Sequence, residues 1–191
     1  MARPLDTVEV MDDQKANGLQ NTAAARFIRE AAAVAPPGHL GRNRDPGDAW
    51  VEGEAGKFWG RFGSAGLLVF DAGRGVLLQH RALWSHHGGT WGLPGGALHQ
   101  GEAAADGALR EAWEEAGVPS SKVELIFTSV YDVGYWSYTT VAVNAVEPFE
   151  AVISDPESLA LEWVPLQEVA ARQLHPGFGA AWPALRRRLE N

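Results

Sequence analysis

Residues 95–118 read GGALHQGEAAADGALREAWEEAGV and carry four glutamates, Glu102, Glu111, Glu114 and Glu115, around one arginine, Arg110. Glu111, Glu114 and Glu115 stand at i, i+3 and i+4, so on a helix they project together. Like charges at these spacings destabilise a helix by roughly 0.2–0.5 kcal/mol per pair. No lysine lies in the stretch to offset them. A divalent cation held by oxygen ligands would do so, and would give the cluster a chemical task. A solvated helix face explains any one of these glutamates about as well, but not the whole constellation.

The elements that must position them are legible in the same stretch. Residues 103–116 read as a helix, on which Ala105, Ala108, Leu109, Ala112, Trp113 and Ala116 form an apolar stripe facing a core. Glu102 opens it, where negative charge suits the positive end of the helix dipole. Gly117 sits just past its end as a C′ glycine, with Val118 and Pro119 closing the element. Gly95 and Gly96 follow Pro94, a tight turn at which backbone carbonyls can approach a ligand closely.

These residues resemble the signature box of the Nudix hydrolases. That box is Gly, five residues, Glu, seven residues, Arg-Glu, an aliphatic, any residue, Glu-Glu, any residue, Gly, an aliphatic. Here it is met by Gly96, Glu102, Arg110, Glu111, Ala112, Glu114, Glu115, Gly117 and Val118. A pattern that fixes so many positions is specific. Ala112 is a small occupant of the aliphatic position, and that departure bears on packing rather than chemistry. The box spans residues 96–118, and supporting similarity runs roughly over 63–166.

The resemblance implies a Nudix-type α/β/α sandwich with a mixed β-sheet, and hydrolysis of a nucleoside diphosphate linked to another moiety. Splitting such an anhydride needs a nucleophilic water and neutralised phosphoryl charge, both of which Mg²⁺ or Mn²⁺ can supply. Glu111, Glu114 and Glu115 are the expected metal ligands, joined by resemblance by the carbonyl of Gly95. Arg110 is expected to orient a glutamate through a charge-assisted hydrogen bond, with Glu102 behind the ligands. Glu111 is the first choice for general base. Some family members draw a further ligand or base from the loop before the closing strand. Glu157, six residues ahead of Trp163, holds a comparable place, with Glu150 and Glu162 as rivals. A basic residue at the position of Arg81 often contacts substrate phosphate in this family. A Nudix-like module that senses a nucleotide without cleaving it is the alternative, although such modules commonly have eroded glutamates. Isomerases of this fold rely on a cysteine, and the chain has none.

Composition narrows the partners. The chain has 191 residues and a net charge of −8, from 16 basic against 24 acidic residues. That balance disfavours bulk nucleic acid or an anionic membrane, but not a small phosphorylated substrate beside a metal. Without cysteine there is no disulfide or thiol chemistry. No stretch is long and apolar enough to span a bilayer, and a cytoplasmic protein is expected.

One domain with an appendage is expected: an N-terminal extension over 1–48 and a Nudix hydrolase domain over 49–191. Within the extension, residues 23–34 read as a helix with an apolar stripe through Phe27, Ile28 and Ala31. It would dock on its own chain or on a second copy, as in a homodimer. Trp50-Val51 and Phe58-Trp59 flank a short hairpin, its aromatics read as core or edge cover rather than a ligand platform. Strands are expected over 66–70, 76–79, 123–132, 136–146 and 161–166, with helices over 167–172 and 178–190. His86 and His87 are neighbours in the loop WSHHGGT, a poor spacing for two ligands on one metal unless the backbone bends there. Trp84, Tyr135 and Trp136 suit either stacking on a base or packing.

Overall fold

The computed structural model describes residues 45–191. The helix expected over 23–34, and most of the extension expected over 1–48, lie outside the described residues.

The fold begins with a small antiparallel hairpin, β1 (Trp50–Gly53) and β2 (Gly56–Trp59). The main sheet comprises β3 (Ser64–Asp71), β4 (Gly75–Arg81), β5 (Trp91–Gly92), β6 (Gly95–Ala97), β7 (Val123–Asp132), β8 (Ser137–Ala145) and β9 (Ser158–Val164). Its order is β5-β4-β3-β8-β7, with β6 also paired to β3 and β9 to β4. β3 and β8 run parallel while the other pairings are antiparallel, so the sheet is mixed, as the sequence predicts.

β3 explains the layering. Successive side chains of a strand point to opposite faces, and this strand is buried on both. Ala65, Leu67 and Val69 pack on one side with Ala108, Ala112 and Ala116 of helix α1 (Ala104–Ala116). On the other side Leu68 packs with Phe178, Trp182 and Leu185 of helix α2 (Pro176–Leu189). A strand enclosed on both faces reads as a continuous apolar run rather than an alternation, hence SAGLLVF. The result is an α/β/α sandwich.

Two expectations need correction. Trp113 is not in the core: it is 60 % exposed. At 100° per residue it lies about 140° around the helix from Ala108. The buried arc is instead centred on Ala108, Ala112, Glu115 and Ala116. The helix is thus turned so that a glutamate occupies a core-facing position. The second concerns residues 167–172, which form only a 3₁₀ turn, Val169–Ala171. Its bonds run from Glu168 N–H to the Pro165 carbonyl and from Ala171 N–H to the Glu168 carbonyl. The chain must then extend so that Trp91 N–H reaches the Gln173 carbonyl, and this contact cuts the helix short.

Candidate active site

Strand β6 and helix α1 meet through glycines. Gly95 pairs with Gly66 and Gly96 with Ala65 on β3. A Cβ on Gly95 would fall 2.5 Å from the Gly66 Cα, and one on Gly96 would fall 2.7 Å from the Glu111 carboxyl carbon. The paired glycines let α1 lie close enough to press its carboxylates onto the strand end. Gly95 N–H donates to Glu115 Oε2 at 2.8 Å. Glu115 is 5 % exposed and forms no ion pair among the described residues. Burial, and then the neighbouring Glu111 charge, push its carboxyl up to about 8. Glu111 moves in the same direction, raised by burial and partly restrained by Arg110. An enclosed, under-compensated pair of carboxylates is costly.

Arg110 ties this cluster to the start of the box. Its Nε and Nη2 donate to the two oxygens of Glu102 at 2.8 and 2.9 Å, a bidentate pair. Nη1 donates to Glu111 Oε1 at 2.6 Å, and Nη2 also reaches the Ala97 carbonyl at 3.1 Å. Glu114 lies 3.8 Å from the same guanidinium. Glu102 further accepts from His99 N–H at 2.9 Å. The Arg110 hydrogen bonds hold the Glu102 carboxyl down at about 2.

Glu111, Glu114, Glu115, Gly95 and Arg110 line one cavity of about 700 Å³. The structure brings Arg81 and Glu157 to the same cavity, whereas Glu150 and Glu162 are not among its lining residues. Glu162 instead pairs with Arg172 at 2.8 Å. The negative charge of Glu157 is felt by both Glu111 and Glu115, and Arg81 acts on Glu115 with the opposite sign. Glu102 lies outside the lining and reaches it through Arg110.

The rest of the wall is aromatic. Trp50, Phe58 and Trp59 line it, and Phe58 is also a buried core residue. Phe58 stacks on Trp136 with centroids 4.3 Å apart and planes 12° from parallel. The hairpin is docked by Trp136 Nε1 and Ser64 Oγ, which both donate to the Trp59 carbonyl. Trp84 and Trp136 face the cavity, while Tyr135 donates to the Gly56 carbonyl instead. Tyr131 also lines it, and its buried hydroxyl has no partner among the described residues. His86 and His87 line it as loop histidines near the pocket, and Asp155 and His175 are lining residues that spacing did not reveal. Their contributing segments are far apart in sequence, so no local pattern could have joined them.

The donor set is oxygen-rich, and one buried carboxylate lacks a cation, so the residues present fit Mg²⁺ or Mn²⁺. A mixed sheet between two helices, with the complete box at its edge, defines a class of enzymes that cleave pyrophosphate bonds. The NUDIX domain model matches residues 60–187, and the chain belongs to the Nudix family as a pyrophosphohydrolase. It is 46 % identical to a protein of Mycobacterium tuberculosis named, provisionally, 8-oxo-dGTP diphosphatase 3, over 79 % of this chain and 74 % of that one. The crystal structure of RenU, a Nudix hydrolase from M. smegmatis, is 46 % identical with a TM-score of 0.68, covering 75 % of this chain and 96 % of that one. A Bifidobacterium longum nucleoside triphosphate pyrophosphatase/Nudix hydrolase fusion protein is 37 % identical over 95 % of this chain, which spans 37 % of the fusion. No helix among the described residues is long and apolar enough to cross a membrane.

Proposed function

We propose that the protein hydrolyses a nucleoside diphosphate linked to a further moiety, and that an oxidised purine nucleoside triphosphate is the first such substrate to test. The observation that carries this reading is a single cavity in which Glu111, Glu114, Glu115 and Glu157 face an aromatic wall. The carboxylates suit a metal–diphosphate head, and Trp50, Trp59, Trp84 and Trp136 suit a flat base. The name of the M. tuberculosis relative supports the choice of first substrate.

Glu111, Glu114, Glu115 and the Gly95 carbonyl would hold Mg²⁺ or Mn²⁺. When bound, that ion supplies neutralisation of phosphoryl charge and a more acidic water. Arg110 fixes Glu111 and is itself fixed by Glu102, so both act as positioning residues. Glu111 accepts the proton of the attacking water, and Glu157 is the second carboxylate able to do so from the same cavity. The water oxygen forms a bond to phosphorus as the bridging anhydride P–O bond breaks, and the phosphate leaving group departs with the bridging oxygen past Arg81, whose guanidinium would contact the phosphate chain. Glu111 is the proposed base because it lines the cavity and Arg110 Nη1 holds its Oε1 in place at 2.6 Å.

The test is a panel of nucleotides incubated with Mg²⁺ and scored for released phosphate, pyrophosphate and nucleotide. Metal-dependent cleavage within a phosphoric anhydride supports the reading. Tight binding of nucleotides with no cleavage across the panel would favour a sensing module instead.

A further inference from the structure

On the wall of the same cavity three imidazoles converge. One nitrogen from each of His86, His87 and His175 lies within 4.8 Å of the others. The first two are neighbours in sequence, and in an extended strand their side chains would point to opposite faces. The backbone resolves this at His87, whose φ of 55° is the only positive value at a non-glycine position among the described residues. That bend places the His86 and His87 ring centroids 4.0 Å apart, with planes inclined by 57°.

The bend is held, not incidental. Thr90 Oγ1 donates to the His87 carbonyl at 2.6 Å, and Gly88 N–H donates to the Ser85 carbonyl at 2.8 Å. A side chain at Gly88 would collide with the carbonyls of Ala82 and Leu83, so only glycine lets the loop close this tightly. Behind His86 stands the edge of Trp50, with centroids 5.2 Å apart. His175 arrives from far along the chain, as the N-cap of α2. Its position is set by backbone bonds on both sides of Trp91: Trp91 N–H to the Gln173 carbonyl and His175 N–H to the Trp91 carbonyl, each 2.8 Å. The His87 and His175 rings stand edge to face, 4.6 Å apart at 88°.

We propose that His86, His87 and His175 form a binding site for a borderline divalent transition-metal ion of the Zn²⁺ class, separate from the carboxylate site. Zn–N bonds are about 2.0–2.1 Å, so two ligands on a tetrahedral ion sit about 3.3 Å apart. Binding therefore has to draw nitrogens that now lie within 4.8 Å of one another closer together. Three nitrogen donors suit Zn²⁺, Co²⁺, Ni²⁺ or Cu²⁺ and not the oxygen-seeking Mg²⁺. Three protein ligands leave a fourth position open, here toward the cavity, for water or an oxygen of a bound phosphate.

Two features oppose the ion and sharpen its identity. Arg81 lines the same cavity, with its Nε on the His86 carbonyl at 3.2 Å. Its charge disfavours any cation held by electrostatics alone, which excludes a hard ion more strongly than one forming partly covalent bonds to imidazole. His175 Nδ1 accepts from Gly177 N–H at 3.2 Å. Ligation through that ring must either use this lone pair or move the ring proton onto Nδ1, so binding gives up one capping hydrogen bond.

The experiment uses the metal-stripped full chain, titrated with Co²⁺ and, by equilibrium dialysis against excess Mg²⁺, with Zn²⁺. Glu111→Gln, Glu114→Gln and Glu115→Gln combined remove the carboxylate site. His86→Ala and His87→Asn test the histidines without removing the helix cap, and asparagine tolerates the left-handed backbone. The proposal expects Zn²⁺ retained by wild type and by the carboxylate variant, and weakened at least about tenfold by either histidine change, the scale on which even outer partners of a metal matter. It also expects the intense visible bands of four-coordinate Co²⁺ in wild type, a readout that needs no variant to fold. Zn²⁺ binding that follows the carboxylates and ignores the histidines would overturn it. So would a wild-type Co²⁺ spectrum showing only weak six-coordinate bands.

Discussion

Glu115 is a carboxylate in a core position, and the cost of that placement sets how the metal-free protein responds to pH. Its folded carboxyl titrates at about 8 against an ordinary value of 4.5, chiefly because it is buried. Between those values the unfolded chain releases a proton that the folded chain retains. Stability of the metal-free protein therefore falls as pH rises from about 4.5 to about 8, and Glu111, shifted in the same direction, adds to the slope. Urea unfolding in a chelator should show this decline. Saturating Mg²⁺ should flatten or reverse it, and Glu115→Gln should reduce it while abolishing most activity. Glu102 works in the opposite sense: held at about 2 by Arg110, it contributes stability above 4.5 that is lost as pH falls towards 2. Gly96 offers a second test at this scale. Its missing Cβ is the space into which the Glu111 carboxyl fits. Gly96→Ala should leave the fold in place and cost about 10²-fold in kcat, the scale expected when a catalytic group shifts by about 1 Å.

At the scale of elements, the rotation of α1 is the feature on which the site depends. If Ala108, Ala112 and Glu115 face the sheet and Trp113 faces solvent, the two large tryptophans of the helices must behave differently. Trp182 on α2 is 3 % exposed, and Trp182→Ala should cost about 3–5 kcal/mol. Trp113→Ala should stay within about 0.5 kcal/mol, as surface changes do. Denaturant midpoints at constant m-value measure both. This pair also marks where sequence reasoning stops. The bounds of α1, its C-terminal glycine and the strands β3, β4, β7 and β8 were legible, because each depends on neighbours within a few residues, whereas Gly95–Ala97, read as a tight turn, is a short strand paired to β3. The rotation of α1 was not, since alanines and a tryptophan define an apolar stripe wider than the arc the sheet can cover. The short turn at Val169–Ala171 was equally hidden, because its end is imposed by Trp91, remote in sequence.

For the whole molecule, the cavity is a meeting of distant segments: the β1–β2 hairpin, the end of β4, the loop at 82–90, the box, the approach to β9 and the start of α2. The box residues could be named from spacing alone, since they lie on one turn-and-helix unit. Trp84 and Trp136 were named only as suited to stacking or packing, and His175 not at all, because tertiary folding alone brings them to the cavity. Aromatic stacking on a base is worth about 1–3 kcal/mol by alanine substitution. Trp50→Ala should accordingly raise KM for a purine nucleotide more than it lowers kcat. If KM is unchanged, the hairpin wall does not hold the base.

Under the proposed function the carboxylates gathered by Arg110 perform the hydrolysis, with Glu111 taking the proton. Turnover of wild type and Glu111→Gln on the same nucleotide, with binding followed by calorimetry using a non-hydrolysable analogue, addresses it most directly. The amide keeps the volume and one oxygen of the carboxylate but cannot accept the water's proton. The expected result is a fall in kcat of about 10²–10⁴-fold, the worth of a positioned base, with nucleotide affinity largely kept. Undiminished turnover in Glu111→Gln would contradict the claim.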